Sequence, residues 1–353
     1  MRRRVLVWSG VTVAVLLGLV VVVLVLDTRG TGTGTGTGTG GERLQLPVDR
    51  AESFEASIDL PALDVEGPDL VTAGGESLRL RGIMPPDPAA LAGDGRFSAA
   101  LFEEIAGTGA SVVRIAVHPE YWREDPDYLW RYLDPAVRWA GEAGLYVIID
   151  WHSIGNVRTG EAPLRPDLYS HTEELTHEFW AATARYFADT PNVLFEVFNE
   201  PQGITAGEWR AAAQDIVRVI RSQGAEQPVV VGGIAYARDL SWVLEDPVDD
   251  PAVVYASHIF PSHAEASWPR DFGEVAARYP VLLTEWGFAP DGEFYLVGTE
   301  SGYAQPLMEY TEDVGAGWVA CWWDDEWQPA MLAPGDHEVG QFGQFVLDQL
   351  ANR

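Results

Sequence analysis

The sequence predicts an α/β protein, a closed (β/α)8 barrel of the TIM type, held as a single domain behind an N-terminal apolar segment and a flexible linker. Three observations carry that expectation. Between residues 78 and 350, short apolar runs alternate eight times with longer, helix-like stretches. The apolar runs are nearly continuous, as in parallel strands buried on both faces. The stretch has the length of such a barrel, roughly 250 residues. No Gly-x-Gly-x-x-Gly follows a strand, which argues against an open dinucleotide-binding sheet.

The elements follow in order. A strand is expected over 78–84, with a helix over 97–107 behind it. Val112–Val117 is the second strand, followed by a helix near 134–143; 145–149 is the third, followed by a long helix over 171–188 with Trp180, Ala184 and Phe187 on one face. The fourth strand, 192–198, leads into a helix over 207–222, and 228–231 into a short helical return at 239–244. Strands at 253–257, 280–284 and 317–322 precede helices at 272–277, 302–314 and 341–350. Residues 42–77 carry Pro and acid with little periodicity and are expected to form a lead-in strap, in the form of a hairpin plugging the barrel floor.

Polar residues gather where the strands end: Arg114 and His118, Asp150-Trp151-His152, Asn199-Glu200-Pro201, His258, Glu285-Trp286-Gly287, and Cys321-Trp322-Trp323-Asp324. In a barrel these ends share one face, the face on which active sites are built. A lone strand-end Glu is ordinarily a solvated loop charge. Two carboxylates on the same face are what cleavage of a glycosidic bond needs, one to protonate the leaving oxygen and one to attack or stabilise the sugar carbon. Other chemistries are unsupported. His258 and His263 have a poor spacing for a metal, no Gly-x-Ser-x-Gly elbow is present, and Asp271-Phe272-Gly273 has no phosphate loop beside it. No metal or organic cofactor is expected. Trp139 and Trp180 fit core positions, His171 and His177 fit a helix surface, and Trp151, Trp268, Trp286, Trp323 and Trp327 are expected to divide between stacking on sugar rings and simple packing.

Taken together, Val113-Arg114, Ile148-Ile149-Asp150-Trp151-His152, Phe195-Glu196-Val197-Phe198-Asn199-Glu200-Pro201, Ser257-His258 and Thr284-Glu285-Trp286-Gly287 resemble glycoside hydrolase family 5, which holds many cellulases and mannanases. The resemblance covers about residues 78–350 and implies a role for each matching position. Glu200 matches the general acid/base and Glu285 the nucleophile. Asn199 matches the residue that bonds the sugar 2-hydroxyl, Arg114 the one that holds the nucleophile ionised, and His152 and His258 the histidines lining the reactive subsite. Elementary electrostatics agrees with the division of labour. A guanidinium beside Glu285 would depress its pKa, while Glu200, beside another carboxylate with less cationic support, would be raised.

Two positions depart from the family. Its Tyr two residues after the sixth-strand His is here Phe260, and its eighth-strand Trp falls by spacing on Cys321, so that Trp322, with Trp323 as the alternative, is expected to take that place. The function expected is a retaining endo-β-1,4-glucanase acting by double displacement on a β-glucan. A non-catalytic carbohydrate-binding barrel, suggested by Phe260 and Cys321, is the alternative from another class; a β-mannanase or transglycosylase would use the same residues.

The front of the chain is of a different kind. Arg2, Arg3 and Arg4 precede an apolar run over residues 5–26, long enough at about 1.5 Å per residue to cross a bilayer core. Residues 1–29 are read as an uncleaved signal-anchor that leaves the remainder outside the cell membrane; a cleaved, secreted form is the rival. Residues 30–41 are a Thr-Gly repeat, a flexible tether that leads to the domain at 42–353. The formal charge is −30 and no Lys is present. Such a surface repels nucleic acid, and together with the missing Lys it suggests a halophilic, high-salt setting. The single cysteine, Cys321, excludes an intramolecular disulfide. The oligomeric state is open.

Overall fold

The structure, a computed structural model, describes residues 50–335 and 338–352. The apolar run 5–26 and the linker 30–41 lie outside the described residues. Among the described residues, no helix is long and apolar enough to cross a membrane.

Eight parallel strands close into a barrel: β1 (Arg81–Met84), β2 (Val112–Val117), β3 (Tyr146–Trp151), β4 (Val193–Glu196), β5 (Val229–Gly232), β6 (Val253–Ile259), β7 (Val281–Trp286) and β8 (Gly317–Cys321). Each pairs with its neighbours in sequence, and β8 pairs with β1. Side chains alternate in and out along each strand. Leu80, Val112, Ile148, Leu194, Val230, Val254, Leu282 and Val319 pack together in the interior, while Ile83, Val113, Ile149, Phe195, Val231, Tyr255 and Leu283 pack outward against the helices. Both sets are buried, hence the continuous apolar runs in the sequence.

The helices show why their sequences fold locally. Ala206–Ser222 starts at a capping box in which Thr205 accepts from the Glu208 backbone and Glu208 accepts in return from Thr205, and it buries Trp209, Ala213, Ile216, Val217 and Ile220 on one stripe. Gln305–Val314 stops at Gly315, whose φ of 79° is the left-handed conformation that glycine adopts freely. The return after β5 is a 3₁₀ turn, Ser241–Leu244, because Asp239 Oδ1 accepts from the Ser241 N–H at 2.9 Å and Pro247 cuts off any extension. The helical stretch after β6 is irregular, with a π-type turn at Pro269–Gly273 running into a short α-helical segment, Glu274–Ala276. Three short helices that hydrophobic periodicity does not reveal, Pro88–Gly93, Pro119–Glu124 and Pro166–Tyr169, each have Pro in the first turn, where its missing N–H costs nothing.

Ahead of β1, Leu63–Glu66 and Asp69–Thr72 form an antiparallel hairpin. Its Leu63 and Leu70 join the interior cluster, the Leu78 N–H donates to Leu70 O at 2.8 Å, and the Tyr146 hydroxyl at the start of β3 donates to Pro61 O at 2.9 Å. The hairpin therefore covers the end of the barrel where the strands begin, and leaves the other end to the strand-end loops.

Candidate active site

The site grows out of the topmost inward layer. Arg114, two residues beyond inward Val112, is fully buried and forks between several partners. Its Nε donates to Glu196 Oε2 at 2.6 Å, Nη1 to Glu285 Oε1 at 2.8 Å, and Nη2 to Asn199 Oδ1 at 2.8 Å; Nη2 also lies 3.0 Å from Asp150 Oδ2. Asn199 spends its carbonyl oxygen on Arg114, so its amide N–H groups are left to donate. Burial alone would lower the Arg114 pKa, but Asp150, Glu196 and Glu285 together raise it, and the group stays cationic.

Glu285 reaches this layer through an irregularity. The β6–β7 ladder pairs Ser257 with Leu283 and then His258 with Glu285, so β7 carries one extra residue. Thr284 and Glu285 consequently both reach the interior, and Trp286 turns outward. Bulges next to active sites re-aim side chains in this way. Gly287 follows because Pro329 crosses closely; a Cβ there would lie 2.5 Å from Pro329 Cγ.

The two carboxylates meet across His258. Its Nδ1 is 2.9 Å from Glu200 Oε1 and 3.7 Å from Glu285 Oε2, and one oxygen from each acid lies within 4.8 Å of the other and of the imidazole. Burial pushes Glu200 up to about 7, with Arg114 pulling the other way. The cause is desolvation rather than the neighbouring carboxylate expected from the sequence. Glu285 is also raised by burial, against the pull of His258 and of the Arg114 guanidinium. The expected net depression of Glu285 is therefore corrected: Arg114 acts in the expected direction, but burial outweighs it. Asp150 is raised well above the ordinary carboxylate range by burial, which Arg114 opposes. Burial lowers His258 to about 4 and His152 well below its usual value, so both are neutral at pH 7. Four acids thus share one cation, and the site relieves its excess charge by holding protons. Glu200, His258 and Glu285 present a three-atom set on which a metal ion could be held, but the buried guanidinium on Glu285 already supplies the positive charge at that point.

An aromatic wall flanks the pair. His152 is held by Asp150 Oδ2 at 2.5 Å, and Trp322 stands edge to face with it at 5.5 Å. Trp327 lies 5.0 Å from Trp322 and 5.5 Å from His118, ring centre to ring centre. Asp324 shapes the loop that carries Trp327: it pairs with Arg96 and accepts the Trp327 N–H at 2.8 Å. Cys321 points inward and is buried, its thiol pushed up by burial. Phe260 meets Tyr295 edge to face at 5.6 Å. The Tyr295 phenol is raised by burial and by the carboxylates of Glu293, Glu200 and Glu285, which places a hydroxyl from the β7 loop within the field of the pair.

Other sequence expectations need correction. Trp151, Trp268, Trp286 and Trp323 are buried between strands and helices, away from the cleft. Alternation explains two of them: Asp150 and Glu285 point in, so Trp151 and Trp286 point out. His171 is buried rather than on a helix surface, its Nδ1 2.7 Å from Ser153 Oγ. Asp150, Glu196 and Thr284 are structural partners of the site to which sequence reasoning assigned no role. An inward position among apolar neighbours, as for Glu196 two residues after Leu194, was the available signal. A turn of three consecutive left-handed residues, Ala235, Tyr236 and Ala237 (φ 57°, 62° and 54°), carries no such signal, since none is glycine. It ties the site together: Tyr236 N–H donates to Pro201 O, and Ala237 O accepts from the His258 N–H.

Known proteins resemble this chain in sequence and in fold. Endoglucanase A of Butyrivibrio fibrisolvens is 28% identical over 82% of this chain and 68% of its own length. Endoglucanase A of Evansella cellulosilytica is 27% identical over 66% of this chain and 46% of its own, so the chain spans only about half of some relatives. A beta-glucanase from Saccharophagus degradans, solved in complex with cellotetraose, superposes with a TM-score of 0.81 at 26% identity and covers 88% of this chain and 99% of that one. The family model for cellulase, glycosyl hydrolase family 5, matches residues 73–326, well over half the chain, and the protein belongs to that family.

Proposed function

We propose that the protein is a retaining endo-β-glucanase. The observation that carries this is the pair itself: carboxyl oxygens of Glu200 and Glu285 lie within 4.8 Å of each other on the open end of the barrel. A spacing of about 5–5.5 Å between carboxyl groups leaves no room for a water between acid and sugar, and leads to a covalent glycosyl-enzyme. Glu200, raised to about 7, holds a proton near neutrality and donates it to the leaving oxygen. Glu285, gripped by Arg114, attacks the sugar carbon. Glu200 then takes a proton from the incoming water as the glycosyl ester is hydrolysed. Asn199 donates toward the sugar 2-hydroxyl, Trp322 offers a ring under the reactive sugar, and His152 and His258 line the subsite. A β-1,4-linked glucan is the substrate favoured by the cellotetraose held in the similar Saccharophagus enzyme. Both acids are in place, which favours catalysis over a barrel that only binds sugar.

The test is reducing-sugar release from soluble β-glucans and mannans, with the anomer of the first product read by NMR. Retention, together with loss of hydrolysis in both Glu200→Gln and Glu285→Gln, is expected; inversion, or full activity in either variant, would refute the mechanism. Residues 5–26 are proposed to anchor the enzyme in the cell membrane with its barrel outside, and the net charge of −30 to suit it to high salt.

A further inference from the structure

Behind the pair runs a chain of hydrogen bonds whose direction follows from counting protons. Glu196 already accepts from Arg114 Nε through Oε2, and its Oε1 lies 2.9 Å from Thr284 Oγ1. A carboxylate can only accept, so the single hydroxyl proton of Thr284 goes to Glu196. Thr284 Oγ1 is also 3.1 Å from His258 Nε2. With its proton spent, the oxygen must accept there, so Nε2 carries the N–H. A neutral imidazole then has a bare lone pair at Nδ1, and Nδ1 faces Glu200 Oε1 at 2.9 Å. Two acceptors cannot share that gap; the oxygen must bear the proton.

We propose that Thr284, brought inward by the β7 bulge and oriented by Glu196, fixes His258 as its Nε2–H tautomer, so that the Nδ1 lone pair accepts the proton stored on Glu200. Thr284 is thus a positioning residue that acts through His258. The inference rests on Glu200 being the general acid. When substrate binds, the O–H turns from Nδ1 to the glycosidic oxygen, the leaving group departs with the proton, and Glu200 becomes a carboxylate facing a lone pair. That mismatch makes it a stronger base for the water of the second step. The same lone pair penalises the ionised acid at rest and adds to the burial that holds Glu200 protonated.

Other charged and titratable groups face this pair. Glu285 lies 3.7 Å from Nδ1. Arg114 and Asp150 stand beside the pair on β2 and β3, Cys321 on β8, Tyr169 at the end of the short helix Pro166–Tyr169, and Tyr295 in the loop after β7. His152 and His263 are held neutral by burial, and the thiol and both phenols are pushed up by it. None of these groups hydrogen-bonds Thr284, so a change confined to Thr284 is read at His258, Glu196 and Glu200.

The experiment compares the pH dependence of kcat/KM on a soluble β-glucan for wild type, Thr284→Val and Thr284→Ser. Val keeps the shape but removes the acceptor at Nε2. The N–H then moves to Nδ1, bonds the Glu200 carboxylate and stabilises its ionised form. The alkaline limb should fall by about one pH unit, a loss of about tenfold above it and little below. Thr284→Ser should restore the limb. A folded Thr284→Val enzyme that is weaker by the same factor at every pH, with its limb unmoved, would overturn the proposal. Nitrogen-15 NMR of the wild type, with the His258 ring assigned by difference from His258→Gln, is the second arm. A protonated Nε2 beside a bare Nδ1 is expected, and an Nδ1–H tautomer or an imidazolium at pH 6 would overturn the proposal even if no variant folds. Absence of any glucanase activity in a wild type that shows the Nε2–H tautomer would sink the functional reading and leave the tautomer assignment standing.

Discussion

Removing the acid that the reaction requires should make the protein more stable, and by an amount that depends on pH. Glu200 is raised from 4.5 to about 7 by burial. A group whose folded pKa exceeds its unfolded value contributes stability that is fully present below the unfolded pKa and is lost as pH rises through the folded one. For Glu200 the window therefore runs from about pH 4.5 to about pH 7. Below it the folded state holds a neutral acid at no cost; above it a bare carboxylate must be buried beside Glu285. A shift of that size corresponds to about 3 kcal/mol at 1.36 kcal/mol per unit, and at pH 8 nearly all of it is lost. Glu200→Gln keeps the shape, cannot ionise, and can donate from its amide to His258 Nδ1. The variant should match wild type in thermal stability near pH 4 and exceed it by about 3 kcal/mol at pH 8. At about 2 °C per kcal/mol for a domain of this size, the gap in Tm should open by about 6 °C. The assay is calorimetry or fluorescence melting of both proteins from pH 4 to 9, with hydrolysis recorded in parallel to show that the more stable protein is inactive. A Tm difference that stays constant over that range would show that Glu200 titrates as an ordinary exposed carboxylate, and the account of the general acid would fall with it.

Further expectations concern the groups around the pair. Arg114→Met leaves Asp150, Glu196 and Glu285 without their shared cation and should cost about 3–5 kcal/mol of stability, read by urea titration; an unchanged midpoint would contradict the network. Tyr295→Phe removes a phenol within the field of the pair, such as Phe260 cannot supply, and should lower kcat/KM on soluble β-glucan by about tenfold, the worth of a hydrogen bond of roughly 1.4 kcal/mol; full activity would show that the hydroxyl is idle. The charge of −30 predicts that Tm rises with NaCl up to molar concentrations, as screening relieves self-repulsion. A Tm that falls steadily over the same range would count against the high-salt reading.

Much of the barrel was legible because its physics is periodic. Strands buried on both faces write themselves as unbroken apolar runs, and the eight of them stand where alternation with helices places them. The short Pro-initiated helices were not legible, since four to six residues carry no period; the short helical segments after β5 and β6 stand where they were expected, but their 3₁₀ and π geometry was not legible. In the site, Arg114, His152, Asn199, Glu200, His258 and Glu285 announce themselves as polar residues in or just beyond the apolar strands. Glu196, the last residue of β4, and Thr284, inside β7, do not stand out beside them, because whether they point inward depends on register. Trp151 and Trp286 mislead for the same reason: they neighbour functional residues in sequence, yet alternation sends them to the opposite face. The left-handed turn at 235–237 is set by tertiary contacts alone and leaves no mark in composition.

The bulge in β7 links these cases. A regular strand would have offered the interior either Thr284 or Glu285, since consecutive side chains point opposite ways. With the acid inward and the hydroxyl outward, His258 Nε2 would lose its acceptor and Glu196 one of its donors. With the hydroxyl inward and the acid outward, Arg114 would hold no nucleophile. One extra residue between Leu283 and the His258 pairing admits both. The hairpin beneath closes the barrel with Leu63 and Leu70, so the polar layer meets solvent from above only. A sugar chain laid across that opening displaces the remaining water and strengthens each of these interactions at once. The grip of Arg114 on Glu285 and the fixed face of His258 are therefore consequences of one local departure from regular pairing, placed where the barrel is open.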